Sequence, residues 1–159
     1  MQLRTDIEDL VLRELTIADT EAYHALLQAS AGHLTQFGNY EDDLAQSLED
    51  VREYFRNPDD DNYRFGLWYQ GELAGRADLN PVNPPHFVLG YWLGGTYTGK
   101  GLATAGCEAL IRYAGKELAA TEIYAGVTHG NDKSVAVLDR LGFEQVAEFE
   151  DYTRYRRVL

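Results

Sequence analysis

The chain has 159 residues, 45% of them hydrophobic and 25% charged, with a formal net charge of −12; this length can bury one core without disulfides or metal. A single cysteine excludes a disulfide framework and a cysteine-rich zinc site, and the acidic balance argues against non-specific nucleic-acid binding while leaving room for a cationic or amine partner. The opening MQLRTDIEDLVLREL carries no apolar leader and no run of about 18 apolar residues occurs, so the expectation is one soluble, cytoplasmic domain over 1–159 with no membrane span.

In chain order, DLVLREL (9–15) alternates and predicts a first strand. Thr16 and Asp19 are of the type that caps a helix start, and Ala22, Tyr23, Leu26 and Leu27 then form a helical stripe. Residues 30–40 carry turn formers and predict an ordered loop. Leu44, Leu48, Val51 and Phe55 recur at helical spacing and predict one second helix, ended by NPDDDN (57–62). RFGLWYQGELAGRADL predicts two antiparallel strands around Gln70-Gly71. After the rigid NPVNPP (80–85), HFVLGYWL (86–93) is an almost continuous apolar run, as in the middle of a sheet. Leu102, Ala105, Ala109, Leu110, Tyr113 and Ala114 then mark a helix, and TEIYAGV (121–127) a strand. A short helix follows with Asn131 as N-cap, Val135, Leu138 and Leu141 inward and Gly142 as left-handed C-cap. EQVAEF and YTRYRRVL predict a last hairpin. The sum is a mixed α/β (α+β) sheet, mostly antiparallel, with helices on both faces.

GTYTGKGLATAG (95–106) holds four glycines and one lysine and leads into a helix. Three phosphate-binding readings compete. Gly94, Gly99 and Lys100 match most of a P-loop, but Gly101 stands where Ser or Thr would hold magnesium. Gly99 and Gly101 begin a dinucleotide fingerprint, but Thr104 replaces its last small residue and Thr128-His129 ends the next strand without an acid for a ribose. The third reading fits better. A strand ends at Leu93 and a helix starts near Gly101, so the first helical N–H groups lack intrahelical partners and make an anion site for a pyrophosphate, with no need of magnesium.

YWLGGTYTGKGLATAG followed by AGVTHGNDKSVAVLDRLGF resembles the GNAT superfamily of acyl-CoA-dependent N-acyltransferases, in particular its branch of RimJ- and RimL-like ribosomal-protein N-terminal acetyltransferases. The resemblance runs over nearly the whole chain and is strongest over 86–145. It implies a GNAT-like fold, acetyl-CoA as acyl donor and an amine acceptor, with a monomer or a homodimer as the assembly. The family's [RQ]-x-x-G-x-[GA] loop falls on Thr98, Gly99, Lys100, Gly101, Leu102 and Ala103, with Thr98 departing from the usual Arg or Gln. Together with Tyr91, Trp92, Leu93 and Thr104, these are the implied coenzyme-binding residues. Lys100 either adds charge near phosphate or is a solvated loop lysine. Asn131 and Ser134 complete the implied coenzyme-binding set, Asn131 reaching the pantetheine arm besides its capping role.

Leu138 stands where many members have a thiolate-protonating tyrosine, and the resemblance implies Ser134 as the acid instead. Candidate bases are Glu148, Glu150, His86 and Asp78, with His129 also near the coenzyme, or a relayed water. A backbone N–H near Trp92 or Leu93 is the expected oxyanion donor. The acceptor wall is expected from His33, Phe37, Asn39, Tyr40, His86, Tyr152 and Tyr155. Cys107 reads as a packing residue. The rival function is a coenzyme-binding sensor or interaction module that has lost catalysis.

Overall fold

A computed structural model describes residues 1–36, 38 and 40–159. Eight strands form one sheet: β1 (Gln2–Arg4), β2 (Leu10–Glu14), β3 (Tyr63–Tyr69), β4 (Glu72–Pro81), β5 (His86–Leu93), β6 (Glu122–Thr128), β7 (Glu144–Glu148) and β8 (Tyr152–Val158). Their order is β1-β2-β3-β4-β5-β6-β8-β7. Every neighbouring pair is antiparallel except β5 and β6, which run parallel. The helices are α1 (Thr20–Ala29), α2 (Ala31–Leu34), α3 (Glu41–Ala45), α4 (Leu48–Arg56), α5 (Leu102–Glu117) and α6 (Asp132–Arg140). No helix among the described residues is long and apolar enough to cross a membrane.

The alternation of β2 to β5 sorts the helices onto two faces. Leu10, Leu12, Phe65, Leu67, Leu79, Phe87 and Leu89 pack with Cys107, Leu110, Ala114 and Leu138 of α5 and α6. On the other face Leu15, Tyr23, Leu27, Leu34 and Val51 pack with Trp68 and Trp92. Tyr23 meets the rings of Phe55 and Trp92 edge-on at 5.1 and 5.9 Å.

Several local expectations hold for physical reasons. Gln70 and Gly71 both take positive φ, 52° and 82°, which is the geometry of a two-residue hairpin turn. Thr16 and Asp19 form a capping box. Asn131 Oδ1 accepts the Ser134 N–H at 3.3 Å, and Gly142 closes α6 at φ 83° with the Phe143 N–H reaching back to the Leu138 carbonyl.

Three expectations need correction. The loop at 30–40 contains a helical turn, α2. The single helix through 44–55 is two, because Gln46 is extended (ψ 131°) and Ser47 starts α4 as its N-cap, accepting the Asp50 N–H at 3.1 Å. Strand β1 was missed because its three residues hold one apolar side chain, too few for a period. Phe37 and Asn39 lie outside the described residues.

Candidate active site

Strands β5 and β6 pair only through His86–Val88 against Glu122–Tyr124. Beyond Val88 they part, while β6 stays paired with β8 on its other edge over its whole length, Glu122–Thr128. The splay leaves one edge of β5 without a partner strand. The Gly94 N–H donates to the Ala74 carbonyl at 2.8 Å and the Val82 N–H to the His86 carbonyl at 3.1 Å. Even-numbered residues of β5 therefore exchange hydrogen bonds with β4, and the N–H groups of Leu89, Tyr91 and Leu93 face the splay. The expected oxyanion donor near Trp92 or Leu93 thus narrows by parity: Trp92 bonds towards β4, whereas Tyr91 and Leu93 do not.

The splay opens into a cleft of about 1500 Å³. Leu93 and Tyr91 form one wall, residues 98–99 and 101–105 a second, and 130–134 a third, with His33 and Tyr40 at one end. The second wall is the start of α5. Gly99 and Gly101 both hold φ 78°, and Gly101 is the N-cap; that left-handed conformation favours glycine. No side chain caps the helix. The first intrahelical bond comes from the Ala105 N–H to Gly101, so the Leu102, Ala103 and Thr104 N–H groups are left for an anion, at the positive end of a 16-residue helix. Thr98, which departs from the expected Arg or Gln, turns its hydroxyl inward to donate to the Gly95 carbonyl at 3.2 Å; it completes the turn and leaves the backbone sites as they are. Lys100 is exposed and does not line the cleft.

Across the cleft, the Tyr91 phenol and the Ser134 hydroxyl are 2.5 Å apart. Asn131 fixes Ser134 by capping α6, so one asparagine positions the serine at the mouth of the splay. Burial pushes the Tyr91 phenol well above its ordinary value, with the hydrogen bond to Ser134 opposing. Tyr91 therefore stays a phenol and steers Ser134 rather than ionising. Its contact with Ser134 spans 43 residues of sequence and had no local signal. Arg157 ties the C-terminal end of α6 to α5: it donates to Glu108 of α5 and to the Leu141 carbonyl, both at 2.9 Å.

A side pocket of about 330 Å³ lies on the other face of β5. It is lined by Tyr23, Asp43, Gln46, Tyr54, Arg76, Asp78 and Gly90, and it shares Tyr40, Tyr91 and Trp92 with the cleft. Arg76 donates to Asp78 at 2.7 Å and to the phenols of Tyr23 and Tyr54 at 2.9 and 3.0 Å. Asp78, a candidate base, is therefore held as the counter-ion of Arg76. The sequence signal for this pocket was a charged pair, Arg76 and Asp78, at i and i+2 in a segment, 73–79, that is otherwise apolar.

The remaining candidates lie elsewhere. Glu148 and Glu150 are exposed at the tip of the β7–β8 hairpin, and neither cavity includes them. Tyr152 stacks on Phe149 at 4.8 Å on that same hairpin. Tyr155 packs against the core. His86 sits at the paired end of β5, its Nδ1 3.7 Å from Glu122. The His129 ring nitrogen is 2.8 Å from the Phe149 carbonyl. Cys107 is buried, and burial raises its thiol to about 12, so it is a neutral packing group. No group of three or more His, Cys, Asp or Glu among the described residues is arranged for a metal ion.

The splayed parallel pair and the uncapped, glycine-led helix make a cleft with a free strand edge and an anion site. The chain belongs to the acetyltransferase (GNAT) domain family, whose model matches residues 9–144. It is 36% identical over 88 residues to the putative ribosomal N-acetyltransferase YdaF of Bacillus subtilis, a match over 54% of this chain and 48% of YdaF, so it spans about half the length of that relative. It is 27% identical over 146 residues to the probable N-acetyltransferase YjcK of the same organism, over 86% of this chain and 81% of YjcK. Among solved structures it is similar to RimL, a ribosomal L7/L12 alpha-N-protein acetyltransferase in complex with coenzyme A, with TM-score 0.85 at 20% identity over 96% of both chains. A probable acetyltransferase superposes with TM-score 0.82 at 26% identity, over 99% of this chain and 97% of that one.

Proposed function

We propose that the chain transfers an acetyl group from acetyl-CoA to a primary amine by direct attack in a ternary complex. The observation that carries this reading is that two cavities reach one strand, β5, from its opposite faces and share Tyr40, Tyr91 and Trp92. The larger takes the coenzyme and the smaller the amine. The Leu102, Ala103 and Thr104 N–H groups bind the pyrophosphate with the help of the helix dipole. The free edge of β5 pairs with the extended pantetheine arm, which Asn131 also contacts. Acetyl-CoA supplies the activated carbonyl carbon and the thiolate leaving group.

The chain's own residues do the rest. The N–H of Tyr91 or Leu93, whichever lies nearest the carbonyl, stabilises the developing oxyanion. The Ser134 hydroxyl gives its proton to the departing sulfur, with the Tyr91 phenol holding it in place. The amine loses its proton to water in the side pocket, since the carboxylate of Asp78 is committed to Arg76. The names of YdaF and RimL support a peptide or protein N-terminus as one acceptor class, with a small amine as the other. A binding-only role has no observation in its favour.

A melting curve tests the coenzyme. Acetyl-CoA at 100 times its dissociation constant adds about 2.7 kcal/mol, or roughly 5–10 °C for a chain of this size. Acetylation of an amine panel, read by mass, tests the transfer. Absence of a shift with acetyl-CoA would overturn the reading.

A further inference from the structure

The side pocket has an unbalanced charge. Arg76 is almost enclosed and its cation is matched by Asp78 and two phenol oxygens. Asp43 stands at the mouth of the same pocket, on α3. Its carboxylate has no hydrogen bond or ion pair among the described residues. The three carboxylate and guanidinium groups on the wall therefore sum to one net negative charge. Partial desolvation raises the Asp43 carboxyl, Asp42 and Asp78 add to that, and Arg76 opposes it; a cation at the mouth would favour the carboxylate and so act against that rise.

The floor of the pocket is Gly90. A Cβ added there meets nothing within 4 Å, and Gly90 is not at positive φ, so neither packing nor backbone requires glycine here and a side chain would occupy the pocket's open space. The volume, about 330 Å³, lies at the small end for a ligand pocket and fits a small amine or the first residues of a chain.

Resting on the acyl-transfer reading above, we infer that Asp43 and Gly90 set acceptor choice, admitting an amine on a slender stem that carries a second positive charge for Asp43. A free diamine and a peptide with a basic residue beside its N-terminus share this chemistry.

Calorimetry on the intact protein saturated with coenzyme A tests the inference. The titrants are putrescine, butylamine and 4-aminobutyrate, whose stems match and whose far ends are positive, neutral and negative. Alanyl-lysine amide and alanyl-norleucine amide form the peptide arm. The positive member of at least one arm is expected to bind five- to tenfold tighter than its neutral partner. Asp43→Asn should erase that preference. Gly90→Val should weaken every acceptor by more than tenfold while coenzyme A binds as before. Whichever arm shows the charge preference identifies the source.

Equal affinities within both arms, a preference for the carboxylate, or a preference that survives Asp43→Asn would overturn the inference. Failure of coenzyme A to bind would overturn the acyl-transfer reading instead, and the same titrations on the protein without coenzyme A then decide the charge preference.

Discussion

Ser134→Ala is expected to lower kcat for acetyl transfer by about 10²-fold, the contribution of one positioned proton donor, and to leave the dissociation constant for coenzyme A within about twofold. The split follows from geometry. Ser134 faces Tyr91 across the splay, whereas the anion site is built from backbone N–H groups of α5. Because the Ser134 N–H, not its hydroxyl, bonds Asn131, α6 keeps its cap in the variant. Tyr91→Phe keeps the ring and loses only the hydroxyl, so it should cost less, about tenfold, the worth of one hydrogen bond. Steady-state rates with stopped thiol release, beside calorimetry, check both. An unchanged kcat in Ser134→Ala would remove the serine from the acid role.

Gly75→Ala is expected to be the most damaging small substitution in the sheet. Gly75 lies opposite Leu93 at the end of β5. An added Cβ would stand 2.2 Å from the Trp92 carbonyl oxygen and 3.0 Å from the Leu93 Cα. These are backbone atoms, so no side chain can swing aside, and β4 and β5 must separate where both cavities meet. A loss of at least about 3 kcal/mol lowers Tm by roughly 6–12 °C. Gly90→Val, fifteen residues away on the neighbouring strand by sequence count, should fold normally because its Cβ has open space. A melting curve for the pair separates the two glycines, and equal stability would contradict the packing account.

What the sequence displayed, it displayed through local chemistry. The Gln70-Gly71 turn, the Asn131 cap, the Gly142 stop and the glycine-led start of α5 each follow from residues within a few positions of one another, and each stands as expected. The break between α3 and α4 was harder, since Leu44, Leu48, Val51 and Phe55 keep helical spacing across it while Ser47 restarts the helix with its own cap. The anion site at the start of α5 was legible because glycine and helix start are adjacent. The side pocket was not, because α1, α3, α4, β4 and β5 each contribute to it. The surroundings of the candidate bases were illegible for the same reason. Glu148 and Glu150 sit near a strand in sequence, but that strand is the sheet edge, two places from β6. Asp78 reaches the pocket, yet only the fold shows that Arg76 holds it.

Initial-velocity kinetics, varying acetyl-CoA against a fixed series of concentrations of an accepted amine, tests the central claim most directly. Two substrates meeting at β5 from opposite faces require a ternary complex, so reciprocal plots should intersect. Parallel lines would mean that an acyl-enzyme forms before the amine enters, a path for which the buried, neutral thiol of Cys107 offers no nucleophile, and they would contradict the account.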